Sequence, residues 1–458
     1  MELTITSQKK TIQANVLQLH LYQQSKVIEA MDKRNNYYYV VFYQDQFINV
    51  VKPTHMKRHS HVQRAITNGI SLPGDHPLVN KLIGQQTLSM TRFNQLFKKL
   101  QQHYPPLETA LILSFFDSFT TAGSIPKLIK KTYYDFRRNG KMRKALQALY
   151  LLKEVDAENT FANDLIGKME FQKYNEAYQT LDIIMEKDPV YFEDICFRHL
   201  QDGIYHENLL MFYDQKNRHI DAIMVRLYLL KQQFNETHWQ QLQATIQTWN
   251  NEAQINVLSD LYRDQPHPII EKELTGRLIG SSHHNEVVSF LLEQNYLPTQ
   301  TEMDKIIDHL NHTDRSQLIQ YFHQSKEKFT TLRQSITKNQ LEKAITPFIK
   351  AFLSTYSFEE INQWFRAFNE SNELFLIEQT IHTMEKLQDD PDHQDKLGEL
   401  YASLDQVEQA IDCYKWEMEL HPQNTKAIQA VAHLYKEMGN ETEAGTYQDL
   451  LIQTQKYG

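Results

Sequence analysis

"LGELYASLDQVEQAIDCYKWEMELHPQN", residues 397–424, is the stretch from which the fold can be read. Gly398 and Ala410 are small where two antiparallel helices would have to approach closely. Tyr401 and Tyr414 are large enough to fill the space between such helices, and Leu397 adds apolar surface beside them. Pro422 stops the second helix, because proline has no N–H to donate and clashes with the preceding turn. A shift of about 34 residues, the length of one such unit, brings a second copy into register. Ala432, Tyr435, Gly439 and Ala444 then fall under Gly398, Tyr401, Asp405 and Ala410. A helix pair that recurs in this way cannot bury its apolar stripe alone and must stack on its neighbours.

On Leu397, Gly398, Tyr401, Ala410, Tyr414 and Pro422 the segment resembles the tetratricopeptide repeat (TPR) family. That resemblance implies helix–turn–helix units stacked as a right-handed solenoid, with the first helix of each unit lining a concave groove. Gln394 stands where the family has a large aromatic residue, and Glu417 where it has alanine. The units 391–424 and 425–458 are the clearest. Gly140, Ala145 and Leu149 match a unit over 126–159, and Gly167, Ala177, Leu181 and Pro189 match another over 160–190. Tyr213 and Ala222 keep the offset of Tyr401 and Ala410. Between 235 and 390 helical pairs continue without the signature.

The N-terminal part reads differently. "YYYVVFY" (37–43) and "FINVV" (47–51) are rich in β-branched and aromatic residues and predict a hairpin across Gln44-Asp45-Gln46. The text before it, "TIQANVLQLHLYQQSKVIEAM", reads as helical. After it, Met90, Phe93, Leu96, Phe97 and Leu100 share one helical face. Pro105-Pro106 breaks the chain, so the expected organisation is a mixed α/β domain over 1–104 and a mostly α, TPR-like array over 107–458. "LETALILSFF" from Leu107 is too short to span a bilayer and reads as a buried helix.

At 458 residues the chain exceeds one ordinary core, and 13 Gly with 13 Pro leave little punctuation for a many-stranded fold. The net charge of −9 conceals a split: residues 1–150 carry 21 Lys/Arg against 8 Asp/Glu, the remainder 27 against 49. A basic head on an acidic body points to an anionic partner or to head–body contact. Two cysteines, Cys196 and Cys413, without metal spacing, and no signal-type N-terminus, place the protein in a reducing cytoplasm.

No phosphate loop, G-x-S-x-G elbow or H-E-x-x-H motif occurs, and His206-Glu207 in "HENLL" lacks the second histidine. His55, His59, His61 and His76 lie among Lys57, Arg58 and Arg64, whose charge opposes a metal, and His309 and His312 have no better company. No cofactor, metal or catalytic residue is therefore expected. The candidate binding surface is the first repeat unit, where Lys127, Lys130, Lys131, Tyr134, Arg137 and Arg138 could grip carboxylates or phosphates. Asp392, Asp395 and Glu399 take the corresponding offsets of the unit at 391 and would repel a carboxylate. The expected function is a non-enzymatic adaptor or scaffold for a protein or peptide partner, an acidic one being among the candidates. An alternative is a nucleic-acid- or transcription-associated regulator using Lys52, Lys57, Arg58, Arg64, Lys98, Lys99 and the hairpin tyrosines; a third is a repeat-borne phosphatase-type regulator.

Overall fold

Seven strands open the chain: β1 (Glu2–Ser7), β2 (Lys10–Tyr22), β3 (Ser25–Asp32), β4 (Tyr37–Tyr43), β5 (Gln46–Val51), β6 (Ile70–Pro73) and β7 (Leu88–Ser89). In the computed structural model, which describes residues 1–7, 10–294, 296–366 and 374–457, they form one sheet of order β5-β4-β3-β2-β1-β7, with β6 paired to β2. All pairings are antiparallel except β1 with β7. The two ends of this order nearly meet, giving a near-closed barrel. Asn49 bridges them, its Nδ2 donating to the Thr91 carbonyl and its Oδ1 accepting from the Thr91 N–H. The β4–β5 hairpin forms as its sequence indicates.

The segment before that hairpin is strand, where the sequence had read as helix. Ala14 and Val16 are buried in alternation, and the pairing of β2 with β3 then slips at a bulge between Val16 and Gln18. The bulge resets the alternation so that Leu19 and Leu21 also point inward. Gln23, with φ 53°, makes the tight turn into β3. Met90 also departs from expectation, lying in extended chain bonded to Thr6, ahead of the helix Phe93–His103.

The described residues divide into two compact units, Met1–Ile270 and Glu271–Gly458. The expected break at Pro105-Pro106 is instead the start of the helix Pro106–Ser114 inside the first unit. Val41, Tyr43 and Ile48 of the sheet share one core with Leu96, Ile112, Phe115, Ile129, Leu149 and Phe171. The prolines end one helix and begin the next without separating two cores.

Four helical hairpins close with the same turn. They are Ser124–Arg138 with Met142–Val155, Gly203–Gln215 with His219–Gln232, Gln394–Ser403 with Val407–Leu420, and Thr425–Glu437 with Glu441–Tyr457. In each, an aromatic residue accepts a backbone hydrogen bond from the residue five positions later. The pairs are Phe136 from Lys141, Tyr213 from Arg218, Tyr401 from Gln406 and Tyr435 from Asn440, all at 2.9 Å. The residue just before each donor is left-handed: Gly140, Asn217, Asp405 and Gly439, with φ of 69°, 55°, 58° and 73°. This is the Schellman closure, and Gly, Asn and Asp are the residues that adopt its left-handed position at least cost. Ala145, Ala222, Ala410 and Ala444 then follow at one common offset, all buried. Gly398 is required by contact as well: a Cβ there would stand 3.0 Å from the Tyr414 ring. The two departures from the family pattern are buried polar residues with partners. Gln394 donates to the Asp390 carbonyl, and Glu417 accepts from Asn424 and pairs with His421.

The unit expected over 160–190 does not form two long helices. It breaks into Thr160–Ile166, Met169–Phe171, Gln172–Asn175, Glu176–Gln179 and Leu181–Lys187. Gly167 has right-handed φ, so no Schellman turn follows it; Asn175 caps the Ile166 carbonyl, and Phe171 drops into the core. The side chain of Ala177 lies outside the described residues. Among the described residues from 236 to 387 helices continue in pairs, with capping boxes at Thr299/Glu302, Thr337/Gln340 and Ser357/Glu360.

A buried ionic cluster ties the second hairpin to the sheet. Lys26 in β3 is fully buried and binds Asp221 at 2.5 Å, Asp45 at 2.8 Å and the Gln44 carbonyl at 2.9 Å. Arg218 binds Asp221 and Glu193, both at 2.7 Å, and the Tyr213 hydroxyl donates to Glu193 at 3.0 Å. Burial alone would raise the Asp221 carboxyl, yet Lys26 and Arg218 together hold it below its usual value.

Candidate functional site

Helix Ser124–Arg138 buries Ile125, Ile129, Thr132, Tyr133 and Phe136, which turns its other side outward. Lys127, Lys131, Tyr134 and Arg138 share that outer side at helical spacing and are exposed. Lys130 and Arg137 are held by the irregular segment that follows. The Lys130 ammonium lies 4.8 Å from the centre of the Phe161 ring, and Arg137 binds Glu170 at 3.0 Å and the Tyr133 hydroxyl at 3.3 Å. Four of the six candidate residues therefore make one stripe, three basic side chains around the half-exposed Tyr134. Of the hairpin tyrosines, Tyr38 and Tyr39 are buried with their hydroxyls donating to Asp32 and Glu29, leaving Tyr37 as the exposed one.

In the second unit a groove of about 350 Å³ opens over the helices Gln394–Ser403 and Thr425–Glu437. It is lined by the small Ala402 and Ala430, by Tyr414, and by Lys426, Gln429 and His433. Those last three lie one repeat beyond Asp392, Asp395 and Glu399, all exposed on the preceding first helix or its approach. Burial, followed by the Glu399 and Asp395 carboxylates, pushes the Tyr414 phenol up to about 12, so it keeps its proton as a donor. The signature residues are thus brought together: Gly398 and Tyr414 in contact, with Ala410, Tyr414 and Leu434 in one core beside Tyr401 and Tyr435. Pro422 follows the helix Val407–Leu420, as the sequence indicates.

A mostly apolar cavity with several polar and charged groups in its wall, which sequence reading missed, lies inside the first unit. It measures about 70 Å³, room for a few water-sized molecules, and is lined by Gln23, His61, Arg64, Tyr150, Glu154 and Asp194 among others. Gln23 donates to Glu154 at 3.2 Å and to Asp194, while Arg64 and Arg198 bind Glu154 at 3.3 and 2.8 Å. His61 is stacked on Phe115 at 4.3 Å, and its Nε2 lies 2.7 Å from the Ser25 hydroxyl. That pair resembles a nucleophile and its base, but the proton runs the other way. Ser25 donates to the Tyr22 carbonyl at 2.9 Å, so its oxygen accepts from His61 Nε2–H. Ser25 is also fully buried. Burial, then the nearby Arg64, holds His61 well below its ordinary pKa, so the ring is neutral.

His55 and His59 precede the helix His61–Asn68, whose N-cap is Ser60, so no shared helical face unites them. His76 caps the helix Pro77–Ile83, accepting from the Leu78 N–H at 3.2 Å. Both cysteines are buried and free; burial pushes Cys413 up to about 11 and Cys196 up to about 12, which leaves them protonated. Among the described residues no helix is long and apolar enough to cross a membrane. No protein-family model matches the chain, and no curated protein matches it.

Proposed function

We propose that the chain is a non-enzymatic, TPR-type helical scaffold that binds a protein partner as an extended peptide. The groove over Gln394–Ser403 and Thr425–Glu437 carries this reading. Two alanines in its lining leave room, the protonated Tyr414 hydroxyl is available to donate, Gln429 offers an amide, and Asp395 and Glu399 lie near Tyr414. Those carboxylates favour a segment bearing lysine or arginine near its centre, with Lys426 and His433 beside the next position. Two free, buried thiols suit a reducing cytoplasm.

Fluorescence anisotropy of labelled extended peptides of varied charge tests it. Basic peptides should bind, Ala430→Trp should abolish binding by filling the groove, and Glu399→Lys should reverse the charge preference. Peptide binding that ignores both substitutions, or none at all, overturns the proposal.

The exposed stripe Lys127, Lys131, Tyr134 and Arg138 favours a second reading, nucleic-acid binding through the basic N-terminal third. On that reading, charge reversal at Lys127, Lys131 and Arg138 should remove salt-sensitive binding to single-stranded DNA or RNA. Absence of binding at low ionic strength refutes it.

A further inference from the structure

We propose that His206, Glu207 and His238 form a site for a late first-row divalent cation, with Zn²⁺ as the probe. The sequence carries His206-Glu207 without the second histidine of a metal motif. The fold supplies it from another helix: His206 and Glu207 lie on Gly203–Gln215, and His238 on Glu236–Ile246, the first helix of the next pair. His206 Nε2 is 3.9 Å and His238 Nε2 3.6 Å from Glu207 Oε1. All three donor atoms lie within 4.8 Å of one another. Tetrahedral ligands with bonds of about 2.1 Å stand about 3.4 Å apart, so the donors need to close by an ångström or so. Glu207 is exposed and can rotate freely to do this.

The two imidazoles are already prepared. His206 Nδ1 lies 2.9 Å from the Leu200 carbonyl, which can only accept, so Nδ1 carries the proton and Nε2 presents its lone pair. A histidine ligand is ordinarily held in this way by its second nitrogen. His238 is buried, and its Nδ1 has no hydrogen-bond partner among the described residues. Its Nε2 faces Glu207 at 3.6 Å, beyond hydrogen-bond reach. A cation between them would give Nε2 and the Glu207 carboxylate a common partner. Arg226, the nearby opposing charge, is occupied by Asp214 at 2.7 Å and Gln241 at 3.1 Å. Two nitrogens and one oxygen suit zinc and its neighbours, whereas Mg²⁺ and Ca²⁺ take oxygen ligands. The exposed side of Glu207 leaves a fourth position for water, and the bound ion would staple consecutive helix pairs through their first helices.

Calorimetric titration of the untagged full chain with Zn²⁺, paired with thermal unfolding, tests the site. One equivalent should bind and raise the melting temperature, and Mg²⁺ should do neither. Glu207→Gln should weaken binding by about 10-fold or more while leaving the metal-free melting temperature unchanged; His206→Ala should weaken it likewise. Absence of stoichiometric binding, or equal affinity in the wild type and both variants, overturns the assignment.

Discussion

The hairpins 203–232 and 394–420 share one turn and are anchored by opposite chemistry. Each places a buried side chain just after its left-handed residue, Arg218 in one and Gln406 in the other. Arg218 enters the ionic cluster of Glu193, Asp221 and Lys26. Gln406 donates its amide to the Lys350 carbonyl at 2.7 Å and to Leu404 at 2.9 Å. The closure is a property of the local chain, while the anchor depends on what packs against it. Buried charges tolerate no missing partner, because each orphaned ion keeps its desolvation cost; a neutral amide loses only its neutral hydrogen bonds.

Truncation should expose that difference most strongly. Asp221→Ala leaves Lys26 and Arg218 under-compensated and should destabilise the first unit by about 3–5 kcal/mol in urea unfolding. Gln406→Ala should cost the second unit about 1–3 kcal/mol. Equal losses would erase the distinction.

Acid should act on the first unit through two buried histidines. Burial holds His61 well below its usual pKa and brings His76 down to about 4. The unfolded chain therefore takes up these protons first. Stability present above pH 6.5 is lost as the pH falls toward 4, at up to about 1.4 kcal/mol per pH unit for each group. His76→Asn keeps a capping side chain without a titrating ring and should flatten this slope; unchanged slopes would remove His76 from the account.

Where the hairpins are alike, they should respond alike. Ala222→Leu and Ala410→Leu each overpack a buried helix contact and should cost about 1–3 kcal/mol. An unchanged melting temperature for Ala410→Leu would refute the register. The smallest effect belongs to the left-handed positions. Asn217→Gly relieves backbone strain and should stabilise by up to about 1 kcal/mol. Asp405→Gly should gain less, because it forfeits the ion pair with Lys350 at 2.6 Å.

What was legible followed local chemistry. The β4–β5 hairpin and the final helix pairs are written in adjacent residues: a polar joint between β-branched runs, or an aromatic, a turn residue and an alanine at set offsets. The first strands were misread because a bulge interrupts the alternation of β2 and its turn, Gln23-Gln24, contains no glycine. At Asn217 and Asp405 the repeat offsets were legible, but the left-handed backbone state of these non-glycine residues shows only in the fold. At 160–190 the apparent signature lacked a left-handed residue at the joint, and Phe171 found a better place in the core. For the candidate surface the sequence supplied six basic and aromatic residues, and only the fold shows that Lys130 and Arg137 among them are engaged by Phe161 and Glu170.

By itself the sequence determined that this chain is built largely of paired helices, because helix periodicity, turn residues and small contact residues act over a few positions. Tertiary structure alone decided that the sheet shares its core with the helices that follow Pro105-Pro106, and that Lys26 meets Asp221. It also decided that His238 stands beside His206 and Glu207. Each of those pairings joins residues far apart in the chain, and burial energy, which has no memory of sequence distance, is what brings them together.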